Sequence, residues 1–189
     1  MTTPHRRRSR NEQTILTSIF RRASDATGAA PGMTPEMRVA MGSAAVKAAE
    51  AIGYSGAGTV EFIVDGSQGL RADRFWFMEM NVRLQVEHCV TEMLTGYDLV
   101  KWQIRAAAGI PLSFGQGDIR FRGTAIECRI NAVSCGTLRM LHVPGGPSVR
   151  FDTYLTEGMT VSPYYDSLLG KLIVQAGTRE EAVRKLRAA

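Results

Sequence analysis

The sequence has no long apolar run and few cysteines, and both shortages exclude classes of protein. No uninterrupted apolar stretch approaches the ~20 residues that a membrane helix needs. The arginine-rich start is not followed by the apolar segment and cleavage site of a secretory signal. Cys89, Cys128 and Cys135 form no CxxC pair and leave one thiol over, which argues against a disulfide scaffold or structural zinc. We therefore expect a soluble cytoplasmic protein with no membrane partner.

The sequence has no net charge outside its first 22 residues. The chain carries a net charge of +5, and residues 1–22 hold six arginines against one glutamate, which accounts for the whole excess. The rest of the chain is neutral and has no basic stripe interleaved with aromatic residues. We therefore expect residues 1–30 to form a disordered, solvated tail and linker, and we expect no nucleic-acid partner.

The first half of the ordered region alternates between helical and strand-like patterns. Thr34 and Pro35 are typical of a helix start, and the Ala-rich stretch that follows predicts a helix with a broad apolar side formed by Val39, Ala45, Val46 and Ile52. Two strand-like runs over 58–64 and 74–80 predict an antiparallel hairpin with a long loop. A helical period then extends over residues 87–108, interrupted at Gly96.

The second half is mostly strand-like and ends in a helix. Strand patterns occur at 123–132, 137–143, 149–153 and 168–176, and a helix begins at Arg179. This order predicts an α+β fold with two regions, 31–115 and 116–189.

Polar side chains alternate along an extended segment that begins at the end of the second hairpin strand. In an extended chain, residues two apart lie on the same face. This places Phe75 and Phe77 on one face of the chain. They are followed on that face by a row of five polar side chains: Glu79, Asn81, Arg83, Gln85 and Glu87. An exposed strand face with incidental ion pairs is the alternative interpretation.

The neighbouring strand adds a second carboxylate. Glu61 is the lone charge in GTVEFIV, and a hairpin could set it beside Glu79. Close carboxylates repel unless a proton or a cation lies between them, and Mg²⁺ prefers oxygen ligands such as Glu and Asn. Glu61, Glu79 and Asn81 are therefore candidate metal ligands, and edge carboxylates in water are the alternative.

Further along the row, the residue types suit an anionic substrate. Arg83 offers a planar fork for an oxyanion, Gln85 could orient the substrate, and Glu87 could take a proton. A second extended stretch, TAIECRINA, places Glu127 and Arg129 on one face. Arg129 is a candidate holder of a second anion or a ureido oxygen, or an ordinary strand arginine.

The strings GYSGAGTVEFIV, FMEMNVRLQVEHCVTEMLTGYDLV and GTAIECRINA, with the tail from VPGGPSVRF onward, closely resemble biotin carboxylase. The resemblance extends from about Pro31 to the end of the chain. It implies the C-terminal half of an ATP-grasp domain followed by the mostly antiparallel biotin carboxylase C-terminal domain. It also implies ATP-dependent carboxylation of biotin with bicarbonate through carboxyphosphate.

The resemblance assigns roles to the matching positions. Glu61 and Glu79 would bind Mg²⁺ or Mn²⁺ on ATP, with Asn81 on the second ion. Bicarbonate would be held by Arg83, Gln85 and the backbone of Val86. Glu87 would deprotonate bicarbonate, and Arg129 would hold biotin. The implied partners are bicarbonate, a biotin carboxyl carrier protein, a carboxyltransferase subunit and a second copy of the chain as a homodimer.

The sequence also departs from the family pattern. The family's Gly-rich lid, ATP-binding lysines and RHQK-like segment have no counterpart among these residues, and the chain is shortened after Asn131. Two hypotheses follow. The chain is a biotin carboxylase-type ligase that needs another chain for the missing half, or it is a non-catalytic remnant or interaction module of a biotin-dependent carboxylase.

Overall fold

A computed structural model describes residues 12–20, 23–25 and 33–189, with side chains from residue 33 onward. It divides into two compact units, which are described separately. The first comprises Met1–Val86 and Asp98–Ile119, and the second comprises Glu87–Tyr97 and Arg120–Ala189. The predicted regions 31–115 and 116–189 differ from these units chiefly in the placement of residues 87–97, and as domain limits they stay a prediction.

The first unit is a four-stranded antiparallel sheet with three helical segments. Its strands, in the order β2-β1-β3-β4, and its helices have the following bounds: β1 Glu12–Phe20, β2 Ala23–Asp25, β3 Gly58–Asp65, β4 Phe75–Asn81, α1 Pro35–Ala51, α3 Leu99–Ala107 and a 3₁₀ turn Gln116–Asp118. The prediction of a disordered tail over 1–30 is therefore wrong for residues 12–20 and 23–25, which are strands, because β1 pairs with β3. The rest of that prediction lies outside the described residues.

Helix α1 begins where the sequence predicts. The Thr34 hydroxyl accepts a hydrogen bond from the Met37 backbone N–H at 3.2 Å, and Pro35 occupies the first helical position. The predicted apolar face is confirmed for Ala45, which is fully buried, but it is wrong for Val39 and Ile52, which are 67% and 64% exposed. The buried face of α1 carries unbranched and small residues, namely Met37, Met41, Ala45 and Ala49. They pack in the core with three residues of β3, namely Val60, Phe62 and Val64.

A β-bulge in the β3–β4 hairpin changes which residues share a face. Glu61 lies opposite Glu79, but the register then shifts, so that Phe62 lies opposite Phe77. The predicted row starting with Phe75 and Phe77 is therefore wrong, because both residues lie opposite core residues of β3. The Phe75 ring packs edge-on against Phe62, with 5.3 Å between centroids. The bulge turns Glu79 to the opposite face, beside Glu61.

The second unit contains a three-stranded antiparallel sheet in the order β5-β9-β7, a short two-stranded sheet and two helices. The bounds of these elements are β5 Thr124–Asn131, β6 Gly136–Thr137, β7 Val149–Thr153, β8 Thr160–Val161, β9 Leu168–Ala176, α2 His88–Thr95 and α4 Arg179–Ala188. Both helices contact β5 and β9. The predicted strand over 137–143 is largely wrong, because only Thr137 of that run is in a strand.

Local signals set the ends of the helices. Gly96, in the left-handed conformation at φ 76°, ends α2, which confirms the predicted interruption. Thr178 and Glu181 cap the start of α4 reciprocally, with hydrogen bonds of 3.2 and 3.1 Å. Among the described residues, every helix is too short or too polar to span a bilayer.

Candidate functional site

Two carboxylates from neighbouring strands form the centre of the predicted metal site in the first unit. Glu61 on β3 lies directly opposite Glu79 on β4. The Asn81 side chain joins them, because its Nδ2 donates to Glu61 Oε1 at 3.0 Å and to Glu79 Oε1 at 3.1 Å. Gln85 Nε2 also donates to Glu61 Oε1, at 3.3 Å. The structure thus brings together Glu61, Glu79, Asn81 and Gln85, which we call the carboxylate–amide cluster.

The donor set of this cluster fits a hard divalent cation. Carboxylate and side-chain amide oxygens are the ligands that Mg²⁺ and Mn²⁺ accept. Rotation of the Asn81 amide would present its oxygen, in place of its nitrogen, to the space between the carboxylates. Two carboxylates directly opposite each other repel, and a cation would remove that repulsion. Glu61, Glu79 and Asn81 are therefore the residues that would hold such an ion.

A glycine allows the ends of β3 and β4 to come together at the cluster. A Cβ atom on Gly58 would lie 3.0 Å from the Tyr54 ring and 3.2 Å from the Asn81 backbone oxygen. The Tyr54 hydroxyl donates to the Ala57 carbonyl at 2.6 Å, which holds the ring beside this position. The close approach therefore depends on the missing side chain at residue 58.

The polar row does not continue as a strand beyond Asn81. Strand β4 ends there, and residues 82–87 connect it to α2. Strict alternation over 79–87 is therefore wrong for its second half, since Glu87 is the residue that precedes α2. Arg83 is exposed and donates from Nη1 to the Leu84 carbonyl at 3.3 Å. Val86 is the last residue of this part of the first unit.

The second unit pairs the other two predicted residues. Arg129 Nη2 on β5 donates to Glu87 Oε2 at 2.8 Å. Their side chains are 51% and 34% exposed, so the pair can reach solutes as well as each other. An ion pair with this exposure contributes only about 0–1 kcal/mol to stability. It can therefore open at little energetic cost.

A charged layer lies where α2 covers the β5-β9-β7 sheet, and Arg150 on β7 ties the two together. Arg150 donates from Nη1 to Glu92 Oε2 of α2 at 2.6 Å and from Nη2 to Asp152 Oδ2 at 2.7 Å. The hydrogen bonds from Arg150 hold the pKa of Asp152 below its usual range. The same hydrogen bonds, which Asp152 and Glu92 accept, raise the pKa of Arg150. We call this group the Arg150 clamp.

Cys89 on α2 is buried inside this layer. It lies within hydrogen-bond distance of Lys171 Nζ, at 2.8 Å, and of Asp152 Oδ2, at 3.2 Å. Burial raises the pKa of Cys89 to about 11, so the residue is a neutral thiol at neutral pH. His88, Cys89 and Glu92 are close enough to hold a metal ion. Because Lys171 and Arg150 already engage Cys89 and Glu92, this group does not suit a cation.

Glu127 on β5 differs from the other carboxylates of this layer in its hydrogen bonding. Both of its carboxylate oxygens are buried and have no hydrogen-bond partner among the described residues. Burial raises the pKa of Glu127, and the nearby Lys171 only partly offsets this effect. Sequence reasoning placed Glu127 beside Arg129 but could not reveal its burial.

Sequence reasoning also missed Asp152 and Lys171, and it did not predict that Arg150 would pair with Glu92 and Asp152. The signals were present, because Arg150 and Asp152 alternate onto one face of β7. Lys171 is the lone charge in the apolar strand LLGKLIVQA, as Glu61 is in the first seven residues of β3. At both positions, a lone charge in an apolar run marks a side chain with polar partners.

Two known protein families match different parts of this chain. Residues 14–114 match the family described as carbamoyl-phosphate synthase L chain, ATP binding domain, and residues 127–189 match the biotin carboxylase C-terminal domain. The class of protein is thus one in which an ATP-grasp-type ATP binding domain is followed by a biotin carboxylase C-terminal domain.

Individual relatives narrow this class. Biotin carboxylase 1 of Bacillus subtilis is 50% identical over 167 residues, which cover 84% of this chain and 36% of the relative. The small subunit of 2-oxoglutarate carboxylase from Hydrogenobacter thermophilus is 50% identical over 182 residues, 91% of this chain and 38% of that subunit. The chain belongs to the biotin carboxylase family, and it spans little more than a third of the length of these relatives.

Solved structures agree with this assignment. The biotin carboxylase domain dimer of the Hydrogenobacter thermophilus 2-oxoglutarate carboxylase, in complex with MgADP, ADP and bicarbonate, has a TM-score of 0.85 and 42% identity. The match covers 95% of this chain and 45% of that one. Pyruvate carboxylase of Rhizobium etli matches with a TM-score of 0.87 and 26% identity, over 100% of this chain and 22% of the enzyme.

Proposed function

We propose that this chain carries the metal-binding, bicarbonate-binding and biotin-binding residues of a biotin carboxylase-type ligase. The reaction would carboxylate biotin on a carrier protein with bicarbonate and ATP, through carboxyphosphate. The observation that carries the proposal is the carboxylate–amide cluster, in which Glu61, Glu79 and Asn81 form a donor set for Mg²⁺ or Mn²⁺. Such an ion neutralises phosphate charge during phosphoryl transfer.

The residues after β4 would bind the anionic substrate. The Arg83 guanidinium is exposed and can form two parallel hydrogen bonds to a bicarbonate ion. Gln85 and the backbone of Val86 would complete the contacts and fix the orientation of the ion. The proposal is supported by the bicarbonate in the Hydrogenobacter thermophilus complex.

Glu87 would take the proton of bicarbonate, and Arg129 would bind the ureido oxygen of biotin. The carboxylate of Glu87 gains the proton, which leaves bicarbonate more nucleophilic toward the terminal phosphate of ATP. Arg129 would then stabilise the negative charge that develops on the ureido oxygen. Both steps require Glu87 and Arg129 to separate, and their exposure permits this.

Turnover would also involve partner proteins. The carrier protein and the carboxyltransferase subunit are the proposed partners, and a homodimer is supported by the dimeric relative. The three free cysteines support a reducing, cytoplasmic compartment. The second candidate function is a non-catalytic module of a biotin-dependent carboxylase, which would keep the metal site but have no turnover of its own.

Metal binding by the purified chain tests the cluster. Mn²⁺ titration, followed by electron paramagnetic resonance, should reveal one class of site that Glu61→Gln and Glu79→Gln each weaken by about tenfold or more, since even outer-shell partners contribute tenfold to affinity. Glu50→Gln on the exposed face of α1 is the matched control. Equal affinity in all four proteins would refute the assignment.

The two candidate functions differ in turnover. Bicarbonate-dependent ATP hydrolysis with free biotin, lost in Glu87→Gln, would establish the ligase. Mn²⁺ binding without turnover would favour the non-catalytic module.

A further inference from the structure

The charged layer of the second unit contains one more carboxylate than cations. Its four carboxylates and three cations come from α2, from the residue before α2 and from all three strands: Glu87, Glu92, Glu127, Asp152, Arg129, Arg150 and Lys171. Three of the carboxylates lie within hydrogen-bond distance of a cation, at 2.6 to 2.8 Å. Glu127 is the fourth, and neither of its oxygens has a hydrogen-bond partner in the described chain.

The nearby cations are already engaged elsewhere. Arg129, two residues from Glu127 on the same face of β5, donates to Glu87 at 2.8 Å. Lys171, opposite Arg129 in the register, contacts Cys89 at 2.8 Å and lies 3.9 Å from Asp152. An ionised Glu127 is thus a buried carboxylate without a donor, which is the most costly state for such a group.

We infer that Glu127 is the first carboxyl of this layer to take a proton, and that it thereby leaves Glu87 as the ionised member of the pair. Glu127 is then a positioning residue that protects the base form of Glu87. The order of protonation depends only on this chain. Its importance for catalysis rests on the proposed role of Glu87 as the base.

The electrostatic surroundings agree with this order. Burial raises the pKa of Glu127, and the charges of Glu87 and Asp152 raise it further, while Lys171 and Arg129 lower it. From α2, the neighbouring Cys89 is a neutral thiol at neutral pH. From β7, Arg150 is committed to Glu92 and Asp152.

The remaining helix supplies no competing partner. Helix α4 contacts β5 and β9, and its Lys185 donates to the backbone carbonyls of Pro147 and Gln175. Its Glu181 caps the start of its own helix. Glu87, in contrast, is one-third exposed and bonded to Arg129.

Carboxyl-carbon NMR of the purified chain tests the order directly. The ¹³C side-chain resonances of Glu127 and Glu87 would be followed from pH 3 to pH 9 and assigned with Glu127→Gln and Glu87→Gln. We expect Glu127 to titrate at a higher pH than Glu87. Glu87→Gln should move the Glu127 midpoint to lower pH, because it removes a like charge that is present when Glu127 titrates.

The reverse substitution should have no such effect. Glu127 is neutral by the time Glu87 titrates, so Glu127→Gln should leave the Glu87 midpoint in place. If Glu87 titrates first, this asymmetry is inverted, and that result would overturn the inference. The inference would also be overturned if neither substitution moved the titration midpoint of the other carboxyl. Glu180→Gln on α4 is the control that should move neither midpoint.

The experiment separates this inference from the proposed function. It uses no nucleotide, bicarbonate or biotin, so the order of protonation can hold in a chain that shows no turnover. If Glu127→Gln does not fold, the wild-type chain and Glu87→Gln still give both midpoints and the decisive shift. Amide spectra of each variant would verify the fold before titration.

Discussion

Asn81 combines two properties that a third carboxylate could not provide. As a neutral amide it donates to both Glu61 and Glu79, which reduces their repulsion without a cation. After rotation it would offer an oxygen to a bound ion. An aspartate at this position would add a third negative charge to two that already face each other. The cluster is therefore suited to both the metal-free and the metal-bound state.

Replacing Glu127 with glutamine should stabilise the protein only at higher pH. An acid whose pKa is raised in the folded chain carries no penalty below its unfolded pKa, where it is neutral in both states, and it destabilises the fold as the pH rises through its folded pKa. Glutamine stays neutral throughout. Thermal unfolding should therefore give equal midpoints for Glu127→Gln and wild type at pH 4 and a higher midpoint for the variant at pH 8. Each kcal/mol corresponds to about 2–4 °C in a chain of this size. A constant difference across this range would contradict the expected burial cost.

At the scale of single residues, the sequence predicts chemistry better than environment. Alternation correctly predicts that Glu61 and Glu79 are neighbours, because a hairpin pairs nearby segments of chain. It could not reveal that Glu127 lacks a partner, because its surroundings come from α2 and β9, far along the chain. Depth of burial is a property of these distant contacts.

The elements differ in how far local signals determine them. The start of α1, the interruption at Gly96 and the capped start of α4 follow from capping residues or glycine next to the helix. The bulge in the β3–β4 hairpin has no comparable signal, because register depends on how two strands pack. That single shift moves the Phe75 side chain to the core face.

Gly123, just before β5, should be intolerant of any side chain. It has φ 69°, and a Cβ atom there would overlap the Ala176 carbonyl oxygen of β9. Gly123→Ala should therefore reduce the free energy of unfolding by about 2–3 kcal/mol. Gly109→Ala, at φ 77° with open space around it, should cost only about 1 kcal/mol. Chemical denaturation would measure both, and equal losses would show that strain in φ alone decides the cost.

At the scale of the whole molecule, the division into units departs most from the sequence-based outline. The chain leaves the first unit after Val86 and re-enters it at Asp98, so the motif that begins at Glu79 is shared between units. A boundary inside a continuous motif gives no compositional signal. Strand β1 was missed because its partner, β3, begins 38 residues after it ends.

Thiol reactivity should report the folded state of the whole chain. Cys128 and Cys135 are exposed, whereas Cys89 is buried and its pKa is raised to about 11. A disulfide reagent such as Ellman's should label two thiols rapidly under native conditions and the third only in denaturant. Cys89→Ser should remove only the thiol that reacts in denaturant. Three fast thiols in the native protein would contradict the described environment of Cys89.

The Arg150 clamp bears on how stiffly the helix start is held. It fastens α2 one turn beyond its first residue to the same sheet that carries Arg129. Because Glu87 immediately precedes α2, the range of motion open to its carboxylate is bounded by an attachment that makes no contact with it. A weaker attachment would widen that range as the temperature rises. The ion pairs of Arg150, on the strand at the other edge of the sheet, therefore limit how far the Glu87–Arg129 distance changes on heating.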